Sequence, residues 1–286
     1  MQIKEIGVIG AGQMGSGIAH VAALSGYNVV MIDQNEDALH KSKDSIAKNM
    51  TRQVNKGKIS AENQETAFNR IQIFTSVNAL ANCDLIIEAA TEEEHIKEKI
   101  FKSVSAICKE TAILASNTSS ISITRLASYT DHPENFIGMH FMNPVPLMKL
   151  VEMIKGLATS NETYEAALEV AHKMGKTVAT SEDYPGFIVN RILMPMINEA
   201  CFVLQEGIAD VKSIDQSMKL GTAHPMGPLA LADFIGLDTC LSIMRVLHNE
   251  LGDSKYRPCP LLVKYVEAGW LGKKVGKGFY TQAGLS

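Results

Sequence analysis

The chain has no excess of positive charge: 27 Lys+Arg stand against 31 Asp+Glu, a formal net charge of −4. Without a global positive field, nucleic acid is not an expected partner, and any anionic ligand has to be met by a local basic patch. No apolar stretch approaches the roughly 20 residues that a membrane span needs, so no membrane partner is expected either. The opening Met1-Gln-Ile-Lys-Glu-Ile6 runs into a strand pattern with no charged, then apolar, leader in front of it, which makes the cytoplasm the expected compartment. The five cysteines, Cys83, Cys108, Cys201, Cys240 and Cys259, are odd in number and widely spaced, without a CxxC pair. That argues against a disulfide framework, a zinc site or a redox pair, and no metal is expected. There is no internal repeat and no low-complexity tract. What is plentiful is apolar material, 46% of 286 residues, enough for one large domain or two moderate ones and too much for a disordered or fibrous chain.

Strand and helix patterns alternate through the first part of the chain. Lys4–Ile9 is a short apolar run, Met14–Leu24 has helical spacing, and Asn28–Ile32 is a second buried strand closed by Asp33, so one complete βαβ unit opens the sequence. The polar, lysine-rich stretch from Glu36 to Arg70 breaks near Gly57 and Ser60 and predicts a helical hairpin inserted beside the sheet. Further strands are predicted at Ile71–Phe74, Asp84–Glu88, Ala112–Ala115, Phe136–His140, Leu147–Ile154 and Thr177–Thr180, with helices near Glu92–Cys108 and Glu162–Met174. Such alternation predicts an α/β doubly wound, mainly parallel sheet over residues 1–184. After Pro185-Gly186 the pattern changes, and Phe187–Gln205, Ile214–Leu220, Pro228–Leu251 and Leu261–Ala268 read as helices of an all-α domain over 185–286. Its many apolar residues suggest a packing partner, such as a second subunit.

Gly10, Gly12 and Gly15 form a GxGxxG between the first strand and the first helix, and Asp33 follows Gly15 by 18 residues at the end of the next strand. The glycines permit the turn, the approach of a pyrophosphate and close helix–strand packing, and the carboxylate accepts hydrogen bonds from an adenosine ribose. These are the marks of a Rossmann dinucleotide site. Asp33 repels a 2′-phosphate, and no Arg or Lys occurs within Gln34–Asp37, so NAD is preferred over NADP.

Two further segments follow predicted strands of the sheet: Ser116-Asn-Thr-Ser-Ser-Ile121 and Gly138-Met-His-Phe-Met-Asn-Pro-Val-Pro146. Strand ends of a doubly wound sheet face its ligand crevice, which places Ser119 and His140 beside a nicotinamide. Glu152 lies 12 residues past His140, and a turn through Pro144-Val-Pro146 would fold it back into contact. Oxidation of a secondary alcohol needs a base of near-neutral pKa, and a carboxylate can orient an imidazole for that work. Taken by themselves the same residues also read as a strand-end histidine, a surface ion-pair partner and a helix cap.

The motifs Gly10-Ala-Gly-Gln-Met-Gly-Ser-Gly-Ile-Ala19, Ser116-Asn-Thr-Ser-Ser120, His140-Phe-Met-Asn-Pro-Val-Pro146, Asp183-Tyr-Pro-Gly-Phe-Ile-Val-Asn-Arg191 and Gly276-Lys-Gly-Phe-Tyr280 together resemble the 3-hydroxyacyl-CoA dehydrogenase family, more narrowly its bacterial members acting on 3-hydroxybutyryl-CoA. The resemblance runs over essentially the whole chain. It implies that His140 is the acid/base and Glu152 its partner, and that Ser119 and Asn190 hydrogen-bond the substrate oxygen, Asn190 reaching the cleft from the second domain. It implies further cofactor contacts from Glu92, Lys97, Asn143 and Lys274, with Lys273 and Lys277 as alternatives to the last. Arg52 and Lys56 on the helical insertion become candidates for the phosphates of an acyl-CoA substrate. A homodimer through the helical domain, preference for the S isomer, interconversion of acetoacetyl-CoA with 3-hydroxybutyryl-CoA, and a stand-alone bacterial enzyme without a fused hydratase are implied as well. Two rival readings remain: a dehydrogenase of similar build acting on a free hydroxy acid or a sugar nucleotide, and a cofactor-binding protein without turnover, as with the lens crystallins related to this family.

Overall fold

The computed structural model describes residues 2–281. It divides into two compact units, Met1–Tyr184 and Pro185–Ser286. The first unit opens with β1 (Glu5–Ile9), α1 (Gln13–Leu24) and β2 (Asn28–Ile32), then the hairpin α2 (Glu36–Asn55) and α3 (Ala61–Asn69). It continues through β3 (Ile71–Phe74), β4 (Leu85–Glu88), α4 (Glu94–Ser105), β5 (Ile113–Ser116), α5 (Ile123–Ala127), β6 (Phe136–Phe141), β7 (Leu150–Lys155), α6 (Asn161–Lys173) and β8 (Thr177–Glu182).

The eight strands form one sheet in the order β3-β2-β1-β4-β5-β6-β7-β8. All neighbours are parallel except β6 and β7, which pair antiparallel. Helices cover both faces of a parallel sheet, so its central strands are mainly apolar, with polar residues only toward their carboxyl ends. Every residue of β4 and of β6 is buried accordingly. The chain passes from β1 to β2 on one side and later crosses to β4 on the other, which makes the carboxyl ends of β1 and β4 a topological switch point, the place where such sheets open a ligand crevice.

The helical insertion stands as the sequence predicts. In α2 only Leu39, Ser42, Ile46 and Met50 are buried, a stripe three to four residues apart that packs on α1 and α3 while the basic remainder faces water. Asn35 and Ser60 start the two helices by accepting the Ala38 and Asn63 N–H groups.

The second unit contains α7 (Val189–Gln205), α8 (Val211–Gly221), α9 (Pro228–Ile235), α10 (Leu237–Leu251) and α11 (Pro260–Glu267) around a core that includes Met194, Ile197, Leu229, Leu241, Met244 and Leu247. The single helix predicted over Pro228–Leu251 is in fact two. Gly236 breaks it with φ +107, a backbone state that residues with a Cβ rarely adopt, while the apolar spacing continues on either side and hides the break. Two isolated bridges, Gly272 with Lys277 and Lys277 with Thr281, end the otherwise helical unit. Two buried aspartates bind that end: Asp215 accepts from the Leu229 and Ala230 N–H groups and the Tyr280 hydroxyl, and Asp233 accepts from the Phe279 and Tyr280 N–H groups. Burial pushes the Asp233 carboxyl up against the pull of those N–H donors.

At the amino edge of the sheet, Asp84 stitches β1 to the start of β4. Its carboxylate accepts from Lys4 N at 2.8 Å and Glu5 N at 3.0 Å and pairs with Lys109 Nζ at 2.7 Å. Burial alone would raise its pKa, but the Lys109 ammonium and the two backbone donors together outweigh it and hold the carboxyl below its usual value. A depressed folded pKa means stability that is complete above the unfolded value and disappears as pH falls through the folded one. Asp84→Ala is therefore expected to cost about 1–3 kcal/mol at pH 7, read as a lower midpoint in urea. The gap to the unmodified protein should close below about pH 4, and an equal gap at pH 7 and pH 3 would contradict the assignment.

Candidate active site

The glycine turn between β1 and α1 is shaped by close approaches that only hydrogen fits. Gly10 has φ +105, and a Cβ there would lie 2.6 Å from the Ala89 carbonyl oxygen; a Cβ on Gly15 would lie 1.9 Å from the Gly10 oxygen. A Cβ on Gly12 would meet nothing within 4 Å, so this residue borders open space at the start of α1. Gly12 is the N-cap of α1 and supplies no side chain to the first-turn N–H groups, which suits an anionic oxygen in that space. Asp33, at the end of β2, accepts from Ala11 N at 2.8 Å through Oδ2 and from Asn35 N at 2.9 Å through Oδ1. The acidic residue and the glycine turn thus form one hydrogen-bonded unit.

Two clefts flank this turn. One, of about 540 Å³, is lined by Ile9, Gly10, Asp33, Val77, Ala90 and Ile100 at the switch point, a mainly apolar slot with one carboxylate, which fits an adenosine. The other, of about 440 Å³, lies between α1, α2 and the turn after β6, with Gly12, Gln13, Ser16, His20, Lys41 and Asn143 among its walls. The residues present therefore fit a dinucleotide.

On the next strands along, the end of β4 carries a buried network. Glu88 and Lys97 are 0% and 1% exposed, and Lys97 Nζ lies 2.6 Å from Glu88 Oε2 and 3.8 Å from Glu92 Oε2. Ser116 at the end of β5 donates its hydroxyl to the same Glu88 oxygen at 2.8 Å. Glu92 in turn accepts from Ser119 twice, from the backbone N at 2.8 Å and from Oγ at 3.0 Å, and also from the Thr118 and Ser120 hydroxyls. Glu92, Lys97 and Ser119 are thereby brought together as one polar assembly across the carboxyl ends of β4 and β5.

His140 and Glu152 face each other across the antiparallel ladder of β6 and β7, as direct register partners. His140 Nδ1 lies 2.7 Å from Glu152 Oε2, with the histidine 8% exposed and the glutamate fully buried. Where the Glu152 carboxylate accepts, the ring donates through Nδ1–H, which leaves Nε2 outside this contact. Since β6 runs parallel to β5, β4 and β1, His140 near its carboxyl end stands on the same edge of the sheet as the glycine turn. Asn117 secures that end by accepting the Phe141 N–H at 2.9 Å.

The remaining candidates are dispersed. Asn143 borders the second cleft, just before a cis peptide bond to Pro144. Arg52 and Lys56 lie on exposed turns at the end of α2, where Arg52 reaches Asn49 Oδ1 at 3.4 Å. In the second unit Asn190 is buried in the first turn of α7. Of the three neighbouring lysines, Lys274 is paired with Asp238 at 2.5 Å, whereas Lys273 and Lys277 sit over the rings of Phe234 and Trp270. Sequence reasoning passed over Glu88, Ser116 and Asn117. Glu88 left one signal, a charged residue closing the apolar run Leu85-Ile-Ile. Among the described residues no cluster of side chains suited to a metal occurs.

Comparison with known proteins bears on the chain as a whole and on its two units. Residues 5–184 match the NAD binding domain of 3-hydroxyacyl-CoA dehydrogenase and residues 186–282 match its C-terminal domain. The 3-hydroxybutyryl-CoA dehydrogenase of Bradyrhizobium diazoefficiens is 61% identical over 282 residues, 99% of this chain and 96% of that protein. The human mitochondrial hydroxyacyl-coenzyme A dehydrogenase is 42% identical over 97% of this chain and 91% of its own length. The crystal structure of the (S)-3-hydroxybutyryl-CoA dehydrogenase of Ralstonia eutropha superposes with a TM-score of 0.96 at 50% identity, covering 98% of this chain and 99% of that one. The chain belongs to the 3-hydroxyacyl-CoA dehydrogenase family, as an NAD-binding dehydrogenase with a Rossmann unit followed by a helical one.

Proposed function

We propose that the chain interconverts (S)-3-hydroxybutyryl-CoA and acetoacetyl-CoA, with His140 and Glu152 as the acid/base pair. The observation that carries this reading is the buried imidazole–carboxylate contact of 2.7 Å on the sheet edge that also bears the glycine turn. When bound, NADH would supply a hydride to the 3-carbon of the acyl chain and NAD+ would accept one from it. In the reducing direction the His140 imidazolium donates its Nε2 proton to the 3-oxo oxygen, and in the oxidising direction neutral His140 takes that proton back. Glu152, buried against the ring, orients it and, as a carboxylate, balances its positive charge in the protonated state. Ser119, held by Glu92, and Asn190 receive the substrate oxygen.

Glu92, Lys97, Asn143 and Lys274 are proposed as further cofactor residues beside Gly10, Gly12, Gly15 and Asp33. Lys97 would act from beneath, since its ammonium is engaged by Glu88. Arg52 and Lys56 are proposed to meet the CoA phosphates, supported by their exposed position on a basic arm. The second unit is proposed as the dimer surface, since Ile192, Ile208, Leu220 and Phe234 are exposed at 67%, 68%, 76% and 55%. The cytoplasm is the proposed compartment; no helix among the described residues is long and apolar enough to cross a membrane.

The test is NADH oxidation with acetoacetyl-CoA, compared with a longer 3-oxoacyl-CoA, with free acetoacetate, and with NADPH in place of NADH. The expected order is acetoacetyl-CoA with NADH first and the free acid negligible. Faster turnover of free acetoacetate would reject the thioester assignment. His140→Gln should lower kcat by about 10²–10⁴ while its NADH dissociation constant stays within a few-fold of the unmodified protein. Near-normal turnover would remove His140 from the mechanism. Glu152→Gln keeps the shape but not the charge, and is expected to reduce kcat by roughly tenfold or more with little change in KM. A change confined to KM would show that Glu152 does not act through the imidazole.

A further inference from the structure

The turn that reverses the chain between β6 and β7 spans residues 143–148, and its first half, Asn143 to Pro146, forms one wall of the cleft beside the glycine turn. Its own hydrogen bonds are few: Leu147 N and Met148 N both donate to the Pro144 carbonyl. The carbonyls of Val145 and Met148 point inward, and inward-facing carbonyls need donors. The donor is a lysine just before β8, the strand that pairs with β7. Lys176, between α6 and β8, is 8% exposed, and its Nζ donates to Val145 O at 2.5 Å and to Met148 O at 2.8 Å.

Among the described residues no carboxylate pairs with this ammonium, and burial draws the amine below the usual lysine range. A neighbouring positive charge is also disfavoured there. His20, on the α1 side of the same cleft, is 1% exposed and bonds Gln53 of α2 at 3.3 Å through Nε2; burial first, and then the Lys176 charge, lower its pKa. From the other flank the turn leans on α1 so closely that a Cβ at Gly17 would come within 2.8 Å of Val145.

We propose that Lys176 is a positioning residue for the cofactor cleft, its buried ammonium tying the 143–148 turn, and Asn143 with it, against α1. The His140–Glu152 contact is held independently by the β6–β7 ladder, so loosening the turn should weaken cofactor binding and leave the proton-transfer pair in register. The inference goes beyond the proposed reaction and depends only on NAD binding by this unit, so it stands or falls apart from the identity of the acyl substrate.

Lys176→Met keeps the aliphatic stem and removes the ammonium. NADH affinity read by fluorescence should fall tenfold or more, amide exchange at Leu147 and Met148 should quicken at least tenfold, and KM for NADH should rise more than kcat falls. Leu126→Ala, which hollows the core under α5, serves as a control of lowered thermal stability and should leave NADH affinity within twofold. An unchanged NADH affinity in Lys176→Met, or an equal loss in Leu126→Ala, would overturn the proposal. If Lys176→Met does not fold, Lys176→Gln, with one donor group left, is put through the same measurements. If neither folds, exchange in the unmodified chain decides, because NADH must then protect Leu147 and Met148, and no added protection would overturn the assignment.

Discussion

The reversal of strand direction at β6 and β7 is the constraint on which the site depends. Everywhere else in the sheet, neighbouring strands are parallel and joined by long crossovers, so that residues facing each other across a ladder come from distant parts of the chain. The antiparallel pair alone lets the chain return at once and set Glu152 opposite His140, 12 residues away in sequence. A one-residue slip in this ladder would carry the glutamate to the other face of the sheet. The apolar residues that alternate with it, Val151 and Met153, are both fully buried, and Phe136 to Phe141 is buried throughout. A register error would therefore bury the charge without its partner and is strongly disfavoured.

A second buried charge pair stands nearer the nucleotide side. Removing one partner of Glu88–Lys97 would leave an uncompensated charge inside, a loss of roughly 3–5 kcal/mol. Such a pair is weak evidence of stabilisation in itself, and its value here is directional. Glu88 also takes the Ser116 hydroxyl and the Ala90 N–H, Lys97 lies near Glu92, and Glu92 takes the Ser119 backbone and hydroxyl. The ends of β4 and β5 are thereby linked by groups that must all be satisfied together, which leaves the Ser119 loop little choice of conformation.

Much of this was readable in the residues, and the division follows the range of the forces involved. The glycine turn, the acidic residue after β2, the helical hairpin and the change of character after Pro185-Gly186 are local patterns. The His140–Glu152 pairing could be proposed because a proline-bearing turn separates its members. Glu88 and Ser116 are 28 residues apart, Ser122 and its acceptor Asp183 are 61 apart, and Lys176 is 31 from Val145. No period or spacing announces such partners, for they are chosen by the stacking of strands and not by the chain near them. The break at Gly236 escaped for the opposite reason: the helical spacing is the same on both sides of it, and only the glycine's positive φ marks the join.

The distribution of buried polar groups shows how the two demands on this unit, a rigid sheet and an adaptable cleft, are kept apart. Along the strands a buried carboxylate is met by a fixed nitrogen, Glu152 by His140 Nδ1 and Glu88 by Lys97 Nζ. Around the cleft the partners are uncharged: two peptide oxygens for Lys176 and the Gln53 amide for His20, with Ser16 beside Ser42 at 2.5 Å. Of these, the two charge-assisted bonds of Lys176 are the stronger, and the others are individually weak. The turn and the arm are therefore held by contacts separate from the β6–β7 register that sets His140 opposite Glu152. The imidazole–carboxylate contact is thus seated in a ladder of fixed register, and the cleft wall beside it on one buried ammonium.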